Sequence, residues 1–175
     1  VDWKCVLHIF CFYAVMTGVG SMGAYFMYMA EYGIGWNDLI MAFNKWEAGY
    51  KGYATDEELA FLVARSSSAY YATMVIMNFG NLLAMRTRVS SIFHTNPFHG
   101  DYKNTVIPFS MLISLAAAFF VLYLPGLQGV IGSQRIQWYY WLIPFAYAVG
   151  VVFMDEIRKY FVRNFPNSFI AKVAW

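Results

Sequence analysis

The sequence predicts an all-α fold, an integral membrane bundle of four transmembrane helices, on three observations. Of the 175 residues, 60% are hydrophobic and only 13% are charged, whereas a soluble domain keeps about a quarter of its residues charged. The charged residues also cluster between long apolar blocks, and the mean hydropathy is +0.46. Four of these blocks have the roughly 20 apolar residues that an α-helix needs to cross a bilayer. Residues 1–175 are therefore expected to form a single membrane domain.

The four helices are expected at about 5–30, 66–85, 105–124 and 137–154, and no Asp, Glu, Lys or Arg lies in the interior of any of them. Pro108 and Pro144 punctuate the third and fourth helices, where neighbouring helices can re-satisfy the freed backbone groups and a kink results. The second helix is expected to begin before the bilayer, because Thr55 and Glu58 form a capping-box pattern. The connections are an outer loop over 31–65, a cytoplasmic loop over 86–104 and a cytoplasmic tail over 155–175.

Lysine and arginine residues in the connections predict the orientation of the bundle, because membrane proteins keep these residues in excess on the cytoplasmic side. One side would hold eight of them, namely Lys4, Arg86, Arg88, Lys103, Arg158, Lys159, Arg163 and Lys172. The other side would hold four, namely Lys45, Lys51, Arg65 and Arg135. This asymmetry places both termini in the cytoplasm and the loop around Tyr50 outside, in a protein expected at the plasma membrane.

Several kinds of site are excluded by composition and spacing. A net charge of +2 is too small to indicate nucleic-acid binding. Cys5, His8 and Cys11 share a helix face, but its ends lie about 9 Å apart along the axis, too far for both sulfurs to reach one metal ion at about 2.3 Å. The chain has no phosphate-binding glycine loop. We therefore expect no catalytic residue, metal or cofactor in it.

Because the first residue is Val1, we expect a piece of a longer protein.

Two amides, Asn78 and Asn81, lie three residues apart in the otherwise apolar segment NFGNLLAM. On a helix this spacing puts both side chains on one face. Asparagine in a membrane often hydrogen-bonds across helices, and intramembrane polar groups are also candidates for function. Two interpretations therefore stay open for the pair, structural packing and a contribution to a cation site.

The segment DEIRKYFVRNFP closes the fourth apolar block and combines two acids with a basic amphipathic stretch. Such a stretch is typical of an interfacial cytoplasmic helix whose cations extend toward lipid headgroups. This interpretation accounts for the basic residues and leaves the two acids without a role.

The same segment resembles the end of the last membrane helix in the alpha subunits of sodium/potassium and proton/potassium P-type ATPases. AYFMYMAEYG resembles the end of the seventh helix of that family, NFGNLLAMRTRVSSIF the end of the eighth, and AAAFFVLYLPG the end of the ninth. These four motifs occur in the family's order over nearly the whole chain. The resemblance implies the carboxy-terminal membrane region, the seventh to tenth helices, of a P-type cation-transporting ATPase.

The resemblance implies a parent protein that hydrolyses ATP through an aspartyl phosphate and transports a monovalent cation, either sodium, potassium or a proton. ATP and Mg would be bound by upstream domains, and this region would support the remaining helices of the pump within the lipid bilayer. The fragment alone is expected to hydrolyse no ATP. The alternative is a stand-alone four-helix membrane protein, such as a small transporter or an assembly factor, which a longer upstream reading frame would exclude.

The chain departs from the family's pattern where the family binds cations. In the family the eighth helix carries an acid three residues after an amide, whereas here Asn81 follows Asn78. The family's ninth helix carries acids before its alanine-rich part, whereas FSMLISLAAA offers only Ser114. Asn78, Asn81 and Ser114 are therefore the cation-site candidates. Because they offer only neutral oxygens, a third sodium-type site is expected to be weak or missing.

Two other motifs of the family imply partner and regulatory residues. The outer loop of the sodium/potassium pump carries a Ser-Tyr-Gly-Gln motif that contacts the beta subunit, whereas this chain reads GYKGY. Tyr50 and Tyr53 are thus the candidates for partner contact, and a beta-type subunit is doubtful. The family has a basophilic kinase site after the eighth helix, which implies regulatory candidates at Arg86, Arg88, Ser90 and Ser91. The alternative is an unmodified polybasic rim that binds anionic lipid.

Overall fold

The computed structural model describes residues 3–41, 50–53, 55–87, 89–95, 98, 100 and 103–168, and the regular structure over these residues is entirely helical. The elements are α1 (Trp3–His8), a π-helical segment (Ile9–Ala14), α2 (Val15–Glu31), α3 (Trp36–Leu39), a 3₁₀ turn (Tyr50–Gly52), α4 (Asp56–Ala84), α5 (Val106–Tyr123), α6 (Pro125–Ile131), a second 3₁₀ turn (Trp138–Trp141) and α7 (Ile143–Asn164).

Four stretches of the described residues are long and apolar enough to cross a membrane, namely Val6–Glu31, Asp56–Ala84, Val106–Tyr123 and Trp138–Asn164. The predicted all-α bundle of four membrane helices is thereby confirmed. Helix α1 begins at one end of the bundle, and α4 and α7 finish there; we call this end the terminus side. The opposite end, where α2 ends and α4 begins, is the loop side.

Helix α4 is the centre of the bundle and packs most extensively against α2 and α7. The Thr55 hydroxyl accepts a hydrogen bond from the Glu58 amide at 3.3 Å, so Thr55 caps the helix as its sequence pattern predicts. Three acidic residues in the first turn add favourable charge at the positive end of the helix dipole. With 29 residues, α4 is about 43 Å long and extends beyond a hydrocarbon core of about 30 Å.

Gly80 permits a close backbone contact between α4 and α7. A Cβ atom on Gly80 would lie 2.7 Å from the carbonyl oxygen of Ala148 and 3.0 Å from its Cα. The backbones of α4 and α7 therefore approach each other at a distance that only a glycine in α4 permits. Small residues serve this purpose at helix interfaces in membranes, because they let two backbones come close enough for extensive van der Waals contact.

Helix α5 lies at the edge of the bundle and buries only Ala118 and Leu122 fully. Most of its large apolar side chains are exposed, including Phe109, Leu112 and Phe120. Such a surface is expected where lipid or further membrane helices surround the protein.

The two prolines lie in first turns rather than in helix interiors, where kinks were expected. Pro108 is the third residue of α5, and Pro144 is the second residue of α7. A first-turn residue needs no intrahelical acceptor for its N–H, so proline fits there without breaking a hydrogen bond. The irregularity in the fourth span is the 3₁₀ turn Trp138–Trp141, which precedes the proline.

Tyrosine side chains tie the helix ends together on the loop side. The hydroxyls of Tyr139 and Tyr140 donate to the two carboxylate oxygens of Glu31, at 2.5 and 2.7 Å. The Gln137 amide donates to the Tyr32 hydroxyl at 2.6 Å. These bonds join α2 to the start of the fourth span. They give the exposed carboxylate of Glu31 a donor for each of its two oxygens.

Candidate functional site

The two amides of α4 form a hydrogen-bonded chain with the first span. The Asn81 amide nitrogen donates to the Thr17 hydroxyl at 2.8 Å and to the Asn78 carbonyl oxygen at 3.3 Å. Asn81 is buried, and its own carbonyl oxygen is also buried, with no hydrogen-bond partner among the described residues. The pair thus packs α4 against α2, and it also leaves one acceptor oxygen available to a donor or a cation.

Asn78 lies between two grooves on the surface of the bundle. A groove of about 470 Å³ lies along α2 and α4 and is lined by Asn78, Asn81 and Thr17, among others. A second groove of about 450 Å³ lies along α4 and α5 and is lined by Asn78 and Ser114. The structure therefore brings the three cation-site candidates to two adjoining grooves, although Asn78 and Ser114 are exposed in this region by itself.

A buried ionic cluster occupies the terminus side, and sequence reasoning did not find it. Asp155 is fully buried and accepts hydrogen bonds from the Tyr13 hydroxyl at 2.7 Å and from Nε of Arg158 at 2.8 Å. The ammonium of Lys159, also fully buried, lies 2.7 Å from the other carboxylate oxygen of Asp155. Lys159 further donates to the carbonyl oxygen of Ala84 at 2.9 Å.

The interpretation of DEIRKYFVRNFP as an interfacial helix with cations extending to lipid is wrong for Arg158, which is buried against Asp155, and for Lys159. The Lys159 side chain points into the bundle, because the last carbonyls of α4 have no intrahelical donor and carry the negative end of the helix dipole. The second acid also has a role, since Glu156 accepts a hydrogen bond from the Ile92 amide at 2.9 Å. Glu156 lies 3.7 Å from Lys159. The formal charges of Asp155, Glu156, Arg158 and Lys159 therefore cancel.

The π-helical segment Ile9–Ala14 supplies the Tyr13 hydroxyl to this cluster. Tyr13 is buried and lies in the part of the first span where the helix widens. Such widened turns frequently occur at functional sites. The His8 ring packs edge-on against the Tyr13 ring at a centroid distance of 5.1 Å and keeps it in place. The one sequence signal for the cluster was the pair of acids that the interfacial interpretation left unexplained.

The regulatory candidates lie in the connection after α4. Ser91 is buried, and its hydroxyl accepts a hydrogen bond from the Phe93 amide at 3.2 Å. Ser90 is exposed, so a kinase that reached this connection would meet Ser90 first. Arg86 donates to the carbonyl oxygen of Thr95 at 2.8 Å, and Arg88 lies outside the described residues. Phosphorylation at these serines stays a prediction.

The partner-contact candidates on the loop side bond within the chain. The Tyr50 hydroxyl donates to Asp38 at 3.0 Å, and the Tyr53 hydroxyl donates to the carbonyl oxygen of Tyr32 at 2.9 Å. Lys51 forms an ion pair with Asp38 and donates to the carbonyl oxygen of Gly33 at 3.1 Å. The hydrogen bond from Lys51 holds the pKa of the Asp38 carboxyl below its ordinary value and raises the pKa of Lys51.

The apolar spans, the amide chain and the buried ionic cluster together define the class of protein, a polytopic α-helical membrane protein with polar contacts inside the bundle. The chain belongs to the family described as cation transporting ATPase, C-terminus, whose model matches residues 1–161. The predicted resemblance is thereby confirmed.

Curated relatives carry the names of sodium/potassium pumps. Over 168 residues the chain is 25% identical to the sodium/potassium-transporting ATPase subunit alpha-2 of Homo sapiens, a match to 90% of this chain and 16% of the relative. It is 24% identical over 168 residues to the subunit alpha-3 of Gallus gallus, with the same coverage. The chain thus spans 16% of the length of these relatives.

Proposed function

We propose that this region is the membrane support of an ATP-driven cation pump of the sodium/potassium type. The observation that supports the proposal is that Asn78, Asn81 and Ser114 line adjoining grooves on one bundle, within a chain of the cation ATPase family. The cargo would be a monovalent cation, and ATP and Mg would be bound by other domains of the parent protein. The stand-alone membrane protein is the less favoured alternative, because the family match spans nearly the whole chain.

We further propose that Asn81 contributes its free carbonyl oxygen to a weak cation site shared with the remaining helices of the pump. Both N–H groups of the amide point to acceptors, Thr17 and Asn78, which leaves the oxygen as the group that can face a cation. Neutral oxygens stabilise a cation less than a carboxylate does, so the site would be weaker than a carboxylate site.

Asn81→Asp is expected to raise the cation affinity of the complete pump about tenfold, because a carboxylate adds a full charge next to the site. The measurement is cation-dependent charge movement across the membrane. Thr17→Val is the matched control, since it removes the interhelical hydrogen bond and keeps the Asn81 oxygen. If Asn81→Asp leaves ion affinity unchanged and Asn81→Ala merely lowers the folding yield as Thr17→Val does, then the amide serves packing alone.

We propose that the protein lies in the plasma membrane with both termini in the cytoplasm. The support for this orientation is the excess of eight basic residues over four on the two sides. Single cysteines at Lys51 and Lys172, introduced after Cys5 and Cys11 are replaced by serine, are expected to react with an impermeant thiol reagent from opposite sides. Labelling of both positions from the outside would contradict the orientation.

A beta-type subunit remains a doubtful partner for this chain. The hydroxyls of Tyr50 and Tyr53 already donate to Asp38 and Tyr32. A partner that contacted these hydroxyls without breaking those bonds would have to donate a hydrogen bond to them, because each oxygen can still accept one.

A further inference from the structure

Arg65 lies at the depth where a lipid headgroup meets the hydrocarbon core. A helix crosses that core in about 20 residues, and 20 residues counted back from Ala84, the last residue of α4, end at Arg65. The preceding residues of α4 therefore extend into the polar layer on the loop side. This placement rests on the stretch from Ser66 to Ala84, which carries no charged residue, and it holds for either orientation of the bundle.

The Arg65 side chain lines a pocket of about 350 Å³ on the loop side. The pocket walls include the rings of Tyr32, Tyr53 and Phe61, and the carboxylate of Glu58 also lines it. The volume is in the range of about 300–1,000 Å³ that is common for small-molecule sites. The pocket thus combines one cation, one anion and three aromatic rings at the level of the headgroups.

Arg65 has a donor available inside this pocket. The guanidinium carbon lies 4.4 Å from the centre of the Phe61 ring. Nε of Arg65 is buried and has no hydrogen-bond partner among the described residues. A buried guanidinium donor without an acceptor is costly, and phosphate oxygens, like carboxylate oxygens, match the geometry of the arginine fork.

The two charges are arranged along the membrane normal. Glu58 precedes Arg65 by seven residues, about two helical turns, so both lie on one face of α4 with Glu58 farther from the hydrocarbon core. Long side chains on a helix lean toward its N-terminus, and the guanidinium accordingly lies over Phe61. The guanidinium therefore lies deeper in the membrane than the Glu58 carboxylate. The separation is about one helical turn, the distance along α4 from Glu58 to Phe61.

A zwitterionic phospholipid carries its charges in the complementary order. Its phosphate is attached to the glycerol and lies deeper, and its ammonium group lies two carbons farther out. Aromatic rings and a carboxylate are the groups that bind a quaternary ammonium. We propose that this pocket binds the headgroup of a phosphatidylcholine-type lipid, with the phosphate on Arg65 and the ammonium between Glu58, Tyr53 and Tyr32.

The test is lipid retention by the complete protein in nanodiscs, with spin-labelled phosphatidylcholine as the probe. Arg65→Gln is expected to lower retention of the labelled lipid about tenfold, because it removes one charge-assisted hydrogen bond to the phosphate. Arg135→Gln is the matched control, because Arg135 is an exposed arginine on the same side, and it is expected to retain the lipid. Arg65→Lys, which keeps the charge without the planar fork, is expected to give an intermediate loss.

Glu58→Gln is expected to abolish the preference for phosphatidylcholine over phosphatidylglycerol, because the carboxylate favours the ammonium and repels extra negative charge. Equal retention by Arg65→Gln and Arg135→Gln would overturn the assignment. Displacement of the probe by inorganic phosphate would also overturn it, since the site would then serve a soluble anion. Neither readout depends on ATP or on cation transport, so failure here would leave the proposed function standing.

Discussion

Asp155→Leu is expected to destabilise the bundle by about 3–5 kcal/mol, which is the cost of leaving a buried charge without its partner. Lys159 is fully buried, and Asp155 is the carboxylate closest to it at 2.7 Å. The substitution also removes an acceptor of Tyr13 and one of Arg158. The measurement is thermal unfolding of the complete protein in a fixed detergent, followed by tryptophan fluorescence.

A graded series of variants separates the charge effect from simple loss of packing. Tyr13→Phe removes one hydrogen bond and is expected to cost about 1 kcal/mol. Glu156→Gln changes an acid that bonds the Ile92 amide at the edge of the cluster, and it is expected to cost less than Asp155→Leu because Glu156 lies farther from Lys159.

The double variant Asp155→Leu/Lys159→Met is the decisive member of the series. Replacement of both partners of a buried pair by apolar side chains is often close to neutral, and here the two charges that remain, on Glu156 and Arg158, still cancel. The double variant is therefore expected to recover most of the stability that Asp155→Leu loses. A double variant as unstable as the single one would mean that Lys159 does not depend on Asp155, and the cluster would not act as a unit.

The ionic cluster illustrates what the sequence could not predict. The helices follow from the length of apolar blocks, and the start of α4 follows from Thr55, because both are local patterns. Tyr13 and Asp155 are 142 residues apart, and nothing local distinguishes Tyr13 from the other tyrosines of the chain. The direction of Lys159 is likewise set by the free carbonyl of Ala84 on a different helix.

The amide pair was predictable in part. The spacing of Asn78 and Asn81 places them on one face, and the structure joins the two by a hydrogen bond. The partner across the helix interface, Thr17, depends on how α2 and α4 pack and has no sequence signal of its own. Both N–H groups of the Asn81 amide donate to acceptors in this packing, and the carbonyl oxygen is the group that stays free.

Gly80→Ala is expected to destabilise the bundle by about 1–3 kcal/mol, the usual cost of overpacking an interface. The new methyl group would lie 2.7 Å from a backbone oxygen of Ala148, which cannot rotate away as a flexible side chain would. Helices α4 and α7 would have to separate. Because Asn81 follows Gly80 directly, the hydrogen bond to Thr17 would also be displaced.

Gly150→Ala is the matched control for this prediction, because a Cβ on Gly150 meets no atom within 4 Å. It lies in α7, the partner helix of Gly80, and removes the same conformational freedom from the unfolded chain. Alanine is favoured over glycine in a helix by up to about 1 kcal/mol, so Gly150→Ala is expected to be neutral or stabilising. The two variants are compared by thermal unfolding in the same detergent. Equal melting temperatures would mean that α4 and α7 tolerate separation, and the close contact at Gly80 would then contribute little to the stability of the bundle.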